Sequence, residues 1–234
     1  MNRLFFEEWR DRRINKIFDI LGRDWFAGKR VLELGACHGD FGMAMQKHGA
    51  DVLFTDVRPN NLATIAKKYP YDHFTPDTMV LDQNKPYNLN KKFDLVLHMG
   101  TLSHIENWKQ DLKCAMDHTP LMFLETMVVP EEGAPDGWYR GHVDEYNSSN
   151  AIQPLFTQES IEGVLTDIGC KFLRFDNKSL NTEWSWMYEG CMIRHVYDWT
   201  YDNIRTYQSI KVNPDTGLKN APVVHARRMW MVMK

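Results

Sequence analysis

The chain has 234 residues, 43% of them hydrophobic, and 28 Lys+Arg set against 31 Asp+Glu for a net charge of −3. That is enough for one α/β domain with decorations or at most two small ones, and it lacks the electrostatic footprint of a general nucleic-acid binder. No apolar run approaches the ~18 residues of a membrane span, and the charged segment 1–13 lacks the apolar stretch of a secretory signal.

The four cysteines, Cys37, Cys114, Cys170 and Cys191, are scattered and form no C-x-x-C pair. They indicate neither a zinc site nor a disulfide framework, and a reduced, cytoplasmic setting is expected.

Residues 4–26 read as a helix, with Phe6, Trp9, Ile14, Ile17, Phe18 and Leu21 at three- and four-residue spacing. Strands and helices then alternate. The pattern predicts strands over 30–34, 52–55, 79–81, 93–98 and 121–128, the second ending at Asp56 and the third at Asp82. Helices are expected over 41–48, 60–69 (with Pro59 near its start) and 102–116. Thr157 suits the cap of a helix over 158–168 with Gly169 at its end, and 171–175 and 227–233 read as two final strands. Such alternation implies a parallel sheet with helices on both faces.

The segment Val31-Leu32-Glu33-Leu34-Gly35-Ala36-Cys37-His38-Gly39-Asp40-Phe41-Gly42 is the most informative. A strand ends near an acidic residue, and a glycine-bearing turn opens into an amphipathic segment, which lets backbone approach a nucleotide-like ligand closely. Gly35 and Gly39 are too far apart for the dinucleotide fingerprint G-x-G-x-x-G. The turn resembles the first motif of class I S-adenosylmethionine (SAM) dependent methyltransferases, with Cys37 where the middle glycine falls. Phe93, Asp94, Val96, Leu102, His104 and Ile105 match the fourth motif of that family at the expected distance. The resemblance spans about residues 28–128, becomes diffuse over 155–234, and is nearest to the small-molecule, type-11-like branch.

It implies a doubly wound, mostly parallel seven-stranded sheet with its last strand antiparallel, in a single domain over 1–234 whose core 28–128 binds SAM. Carried over by position, Glu33, Gly35, Ala36, Cys37 and Gly39 face the methionine part. Asp56 faces the ribose, Asp82 the adenine with help from Gln83, and His98 and Met99 line the path of the methyl group. The strand-end carboxylates are placed on the cofactor, so no metal is expected.

Two segments interrupt the alternation, before and after the sixth strand. Residues 130–154 carry Tyr139, Arg140, His142 and Asp144; residues 181–222 are rich in Trp and Tyr. Connections this long are usually lids, partner surfaces or disordered stretches, and their aromatic content argues against disorder. His98 and His142 are the candidate bases for a hydroxyl acceptor, and Tyr139, Arg140 and Asp144 the candidate acceptor-orienting residues.

No [DN]-P-P-[FYW] tetrapeptide follows the fourth strand and no cysteine follows a proline, which disfavours amino- and C5-methylation of bases. The reading is metal-independent transfer to a small-molecule acceptor, O- favoured over N-. Two alternatives stay open: an RNA or modified-nucleoside methyltransferase, and a SAM-binding protein without transfer activity. A homodimer also stays open.

Overall fold

The computed structural model describes residues 3–69, 75–128, 137–140, 152–177, 179–180, 184–188, 191–195 and 224–234. Its strands are β1 (Arg30–Leu34), β2 (Asp51–Asp56), β3 (Asp77–Val80), β4 (Leu95–Met99), β5 (Leu121–Val128), β6 (Gly137–Arg140), β7 (Ile152–Leu155), β8 (Lys171–Phe175), β9 (Trp184–Tyr188), β10 (Cys191–His195) and β11 (Val224–Met233). The helices are α1 (Arg3–Leu21), α2 (Asp40–Gln46), α3 (Pro59–Lys68), α4 (Trp108–Asp117) and α5 (Gln158–Asp167).

β3, β2, β1, β4 and β5 lie side by side in that order, all parallel. β11 runs antiparallel to β5, and β8 antiparallel to β11, which completes the expected seven strands with the reversed last strand. The sheet then exceeds the expectation. The antiparallel hairpin β9–β10 joins it where Arg194 and His195 pair parallel with Val224 and His225, at the start of β11. A separate hairpin, β6–β7, falls inside the first predicted insertion.

Alternation along each central strand sends side chains to two cores. On one face Leu32, Leu34, Val96, Met122 and Leu124 pack against Trp108 and Leu112 of α4 and Ile161 and Leu165 of α5. On the other Val31, Phe54, Leu95, Leu97 and Phe123 meet Ile17 and Phe18 of α1, Phe41 and Met45 of α2, and Ile65 of α3. Each such fully buried side chain contributes about 1.5–3 kcal/mol.

The helix ends follow local chemistry. Pro59 opens α3, where its missing N–H costs no hydrogen bond. Thr157 and Ser160 form a reciprocal capping box at the start of α5, and Gly169 follows its end with φ +79°.

Two predicted helices are shorter than expected. The first stops at Leu21 because Gly22, at φ +81°, turns the chain while its N–H donates to Phe18 O at 2.8 Å. The predicted 102–116 helix is broken into a short turn at Leu102–His104 and α4. Asn84 explains the break: its Oδ1 accepts the Glu106 and Asn107 amides at 2.8 and 3.3 Å, and its carbonyl accepts from Asn107 Nδ2. Those donors are spent on the β3–β4 connection before the helix begins.

Candidate active site at the carboxyl ends of the strands

The glycine turn leaves β1 and closes against β2. Ala36 N donates to Thr55 O at 2.7 Å, and Gly39 N returns to Ala36 O at 2.7 Å. Gly35, Cys37 and Gly39 all have positive φ, at +63°, +50° and +71°. Gly35 is obligatory for a second reason: a Cβ there would lie 2.3 Å from Thr101 Oγ1. Thr101, in the connection after β4, was not singled out in the sequence, yet it is what the turn packs on. Cys37 takes a left-handed conformation at the position where the resemblance has a glycine, and burial, with Asp56 beside it, pushes its thiol up to about 11.

Asp56 ties the turn to the end of β2. Its Oδ2 accepts the Cys37 amide at 2.9 Å, while Oδ1 accepts the Arg58 amide at 2.8 Å and Asn61 Nδ2 at 3.1 Å. Beside it Val57 leaves an apolar side chain 55% exposed. Asp82, after β3, is half-buried, accepts the Asn84 amide at 3.1 Å and pairs with Lys85 at 3.0 Å. Gly35, Cys37, Asp56 and Asp82 are thus gathered at one end of β1, β2 and β3.

Four expected site residues, Glu33, His98, Gln83 and Met99, are turned elsewhere. Glu33 is turned inward from the strand ends: the residue is 2% exposed and its Oε2 accepts the Gly42 amide at 2.8 Å, inside the face covered by α2. Burial drives its pKa up to about 8 against the opposing pull of the Gly42 and Phe41 amides. Glu33 therefore holds the glycine turn from below instead of meeting an ammonium. A Cβ at Gly42 would come within 2.5 Å of that Oε2, so Gly42 is fixed by the same contact.

His98 does not line an open path. Its ring is fully buried on the α4 face, with Nε2 2.7 Å from Asp111 Oδ2. Its Nδ1 has no partner among the described residues. Asp111 also accepts from Gln83 Nε2 at 3.1 Å and from Tyr87 Oη at 3.1 Å. Gln83 is thereby drawn into this buried cluster and away from an adenine position, and burial together with Asp111 raises the Tyr87 pKa. Met99, 8% exposed, belongs to the core on the opposite face.

Tyr139 and Arg140 sit on β6, in register with Gln153 and Ile152 of β7, and β7 packs against the Leu102–His104 turn beyond β4. His142 and Asp144 lie outside the described residues, as does most of 181–222.

A cluster not visible in any local pattern sits beside β4. Glu125 of β5 is fully buried between two guanidiniums, with Arg227 Nε and Nη2 at 2.6 and 2.8 Å and Arg13 Nη2 at 3.2 Å. Burial opposes its charge, but Arg227 and Arg13 prevail and hold its pKa below the ordinary value. Both guanidiniums lie over the Trp9 ring, at 4.4 Å for Arg13 and 4.8 Å for Arg227.

Among the described residues no three His, Cys, Asp or Glu side chains converge as a metal-binding set, and no helix is long and apolar enough to cross a membrane.

Solved structures share this architecture at low identity. The N-terminal domain of EvdMO1, solved in the presence of SAH and D-fucose, aligns with TM-score 0.62 at 15% identity, over 97% of this chain and 82% of its own. Magnesium protoporphyrin IX methyltransferase (ChlM) from Synechocystis PCC 6803, with bound SAM, aligns with TM-score 0.54 at 13% identity, over 100% and 93%. SAM-bound CalS10, an amino pentose methyltransferase from Micromonospora echinaspora, does so with TM-score 0.54 at 14% identity, over 71% and 85%. At such identities the likeness establishes the fold. A search of curated proteins returns no match. The sequence family described as a methyltransferase domain matches residues 6–174. That match runs through more than two thirds of the 234 residues, and the chain belongs to the methyltransferase-domain family.

Proposed function

We propose that this chain is a SAM-dependent methyltransferase that transfers the methyl group to a small-molecule acceptor without a metal, a hydroxyl being favoured over an amine. The observation that carries the reading is the 2.9 Å bond from the Cys37 amide to Asp56 Oδ2. It joins a turn with three positive-φ positions (Gly35, Cys37, Gly39) to a strand-end carboxylate, which puts backbone and acid side by side at the strand ends.

The residues present fit an adenosyl sulfonium. A carboxylate offers about four acceptor positions, and three protein donors reach Asp56. One position remains for a ribose hydroxyl, and release of the half-buried Asn61 amide frees another. Val57 offers an apolar surface beside it for a base, and Asp82 a carboxylate for an exocyclic amine. SAM supplies a methyl group already activated on sulfur. The chain has to hold an acceptor in line and exclude water, an arrangement worth up to about 7–11 kcal/mol in favourable cases.

A hydroxyl acceptor calls for a base. With His98 buried against Asp111, His142 is the histidine left for that role, with Tyr139, Arg140 and Asp144 as the companions that orient the acceptor. Two low-identity neighbours, EvdMO1 solved in the presence of D-fucose and the amino pentose methyltransferase CalS10, support the small-molecule class.

The test is turnover of methyl-labelled SAM against a panel of matched hydroxyl and amine acceptors, sugars and amino sugars included, with a structured RNA as a further arm. Label on a hydroxyl compound, lost in His142→Ala, is the expected result. Label only on RNA, or only on amines, overturns it.

A further inference from the structure

Among the described residues, the Arg13–Glu125–Arg227 cluster sets two guanidiniums against one carboxylate. They meet inside the protein, Arg13 being 1% and Glu125 0% exposed. Neighbouring charges are already engaged: Arg12 pairs with Glu8 and Arg10 with Asp40. An unbalanced buried cation is costly, because desolvation is not repaid by a counter-charge. Such a charge persists where it has a use or a partner.

The donors are also left over. Arg227 spends Nε and one Nη2 hydrogen on Glu125, in the fork geometry that matches a carboxylate. Its second edge, the Nη1–Nη2 side, is the same two-donor fork again. The Arg13 Nε and the Trp9 Nε1 are buried with no acceptor among the described residues. Desolvation by burial lowers the Arg13 pKa to about 10, which still leaves it charged at neutral pH.

The position is telling. Gly100, where β4 leaves the sheet, has φ +75°, and a Cβ there would sit 3.2 Å from Arg227 Nη2 and 3.5 Å from the Trp9 ring. The absent side chain lets the guanidinium reach the carboxyl end of β4. The adenosyl-side features, Gly35, Asp56 and Asp82, stand at the ends of β1, β2 and β3. Glu125 and Arg227 stand on β5 and β11, across β4 from them. At ~4.8 Å per strand, β5 is about 10 Å from β1.

From this placement we propose that Arg227, backed by Arg13 and Glu125, forms an oxyanion subsite for the methyl acceptor, so that the acceptor carries a carboxylate or phosphate group. The subsite rests on the reading of the cleft as a SAM site. Arg227 binds the anion through its second fork, Glu125 fixes the guanidinium plane, and Arg13 with Trp9 supplies the excess charge and the spare N–H groups.

The experiment is calorimetric titration of acetate, and separately of inorganic phosphate, into the protein already saturated with S-adenosylhomocysteine (SAH). Wild type is expected to bind at least one of the two saturably, and the tighter of them names the group. Arg227→Gln should weaken that binding about tenfold or more, the scale of lost charge-assisted hydrogen bonds, with SAH affinity unchanged. Arg227→Lys, which retains a charge for Glu125 but loses the fork, should fall between them and decides the matter if the Gln variant melts early.

Saturation by neither anion, or equal binding in both variants, overturns the proposal. So does a loss of SAH affinity in Arg227→Gln that is absent for 5′-methylthioadenosine, which lacks the amino-acid end; the charge would then serve the cofactor. Failure of the SAM reading itself looks different, because wild type would then not bind SAH at all.

Discussion

Replacing Glu33 by Gln tests the turn-holding role assigned to it and should make the protein more stable in alkali. The Glu33 carboxyl is fully buried, accepts the Gly42 amide, and has a pKa raised to about 8 from 4.5. A carboxyl whose folded pKa is raised contributes stability that is complete below its unfolded value and is lost as pH rises through the folded one. Between pH 4.5 and about 8 the folded chain keeps a proton that the unfolded chain releases. At ~1.36 kcal/mol per unit, the loss across that window is about 4–5 kcal/mol.

Gln has nearly the shape of the protonated acid and a carbonyl oxygen that can accept the Gly42 amide, and it has nothing to ionise. Urea denaturation of wild type and Glu33→Gln at half-unit intervals from pH 5 to 9 reads the difference directly. The two should be nearly equal at pH 5, and the variant should lead by several kcal/mol at pH 9. A difference that does not change with pH would refute the buried, proton-holding Glu33. A variant that loses SAH binding while gaining stability would return Glu33 to direct contact with the ligand.

Other substitutions test other parts of the site. Gly35→Ala places a methyl 2.3 Å from Thr101 Oγ1 at a left-handed φ and should cost about 3 kcal/mol together with SAH binding; Thr101→Gly in the same chain should restore part of both, measured by melting and titration. Cys37→Gly exchanges strain at φ +50° for chain entropy, so its stability should stay within about 1 kcal/mol and SAH affinity should be retained; loss of binding would mean that the thiol itself is needed. His98→Ala removes a fully buried partner of Asp111 and should destabilise by about 3 kcal/mol. The pH profile of turnover by the molecules still folded should not move, and disappearance of its base limb would restore His98 as the base.

What the sequence made legible has a common physical character: it is local. The apolar run at 31–34, Pro59 at the start of a helix, Thr157 as the cap of another, and glycines at the turn all act within a few residues, and each lies where the pattern placed it. Asp56 was legible because a strand end is a local event and its carboxylate has only to reach the neighbouring turn. The misplaced residues obey longer-range partners. His98 and Gln83 belong to Asp111, which stands on α4, and no spacing rule announces that a strand-end histidine will face a helix and not the cleft. Glu33 sits at the right end of β1, but strand alternation sends it to the face that α2 covers. Arg13, Glu125 and Arg227 come from α1, β5 and β11, separated by 112 and 102 residues, and only the folded sheet assembles them. The early stop of the first helix and the broken start of the 102–116 helix likewise trace to single residues, Gly22 and Asn84, acting against an otherwise suitable periodicity.

The most direct measurement is calorimetric titration of SAH into the purified chain and into Asp56→Ala, with NAD as the competing ligand. One SAH bound per chain, no NAD binding, and severe loss of SAH affinity in the variant are the results expected of a cleft built from the glycine turn and Asp56. Absence of SAH binding, preference for NAD, or an Asp56→Ala variant that binds SAH as well as wild type would contradict it.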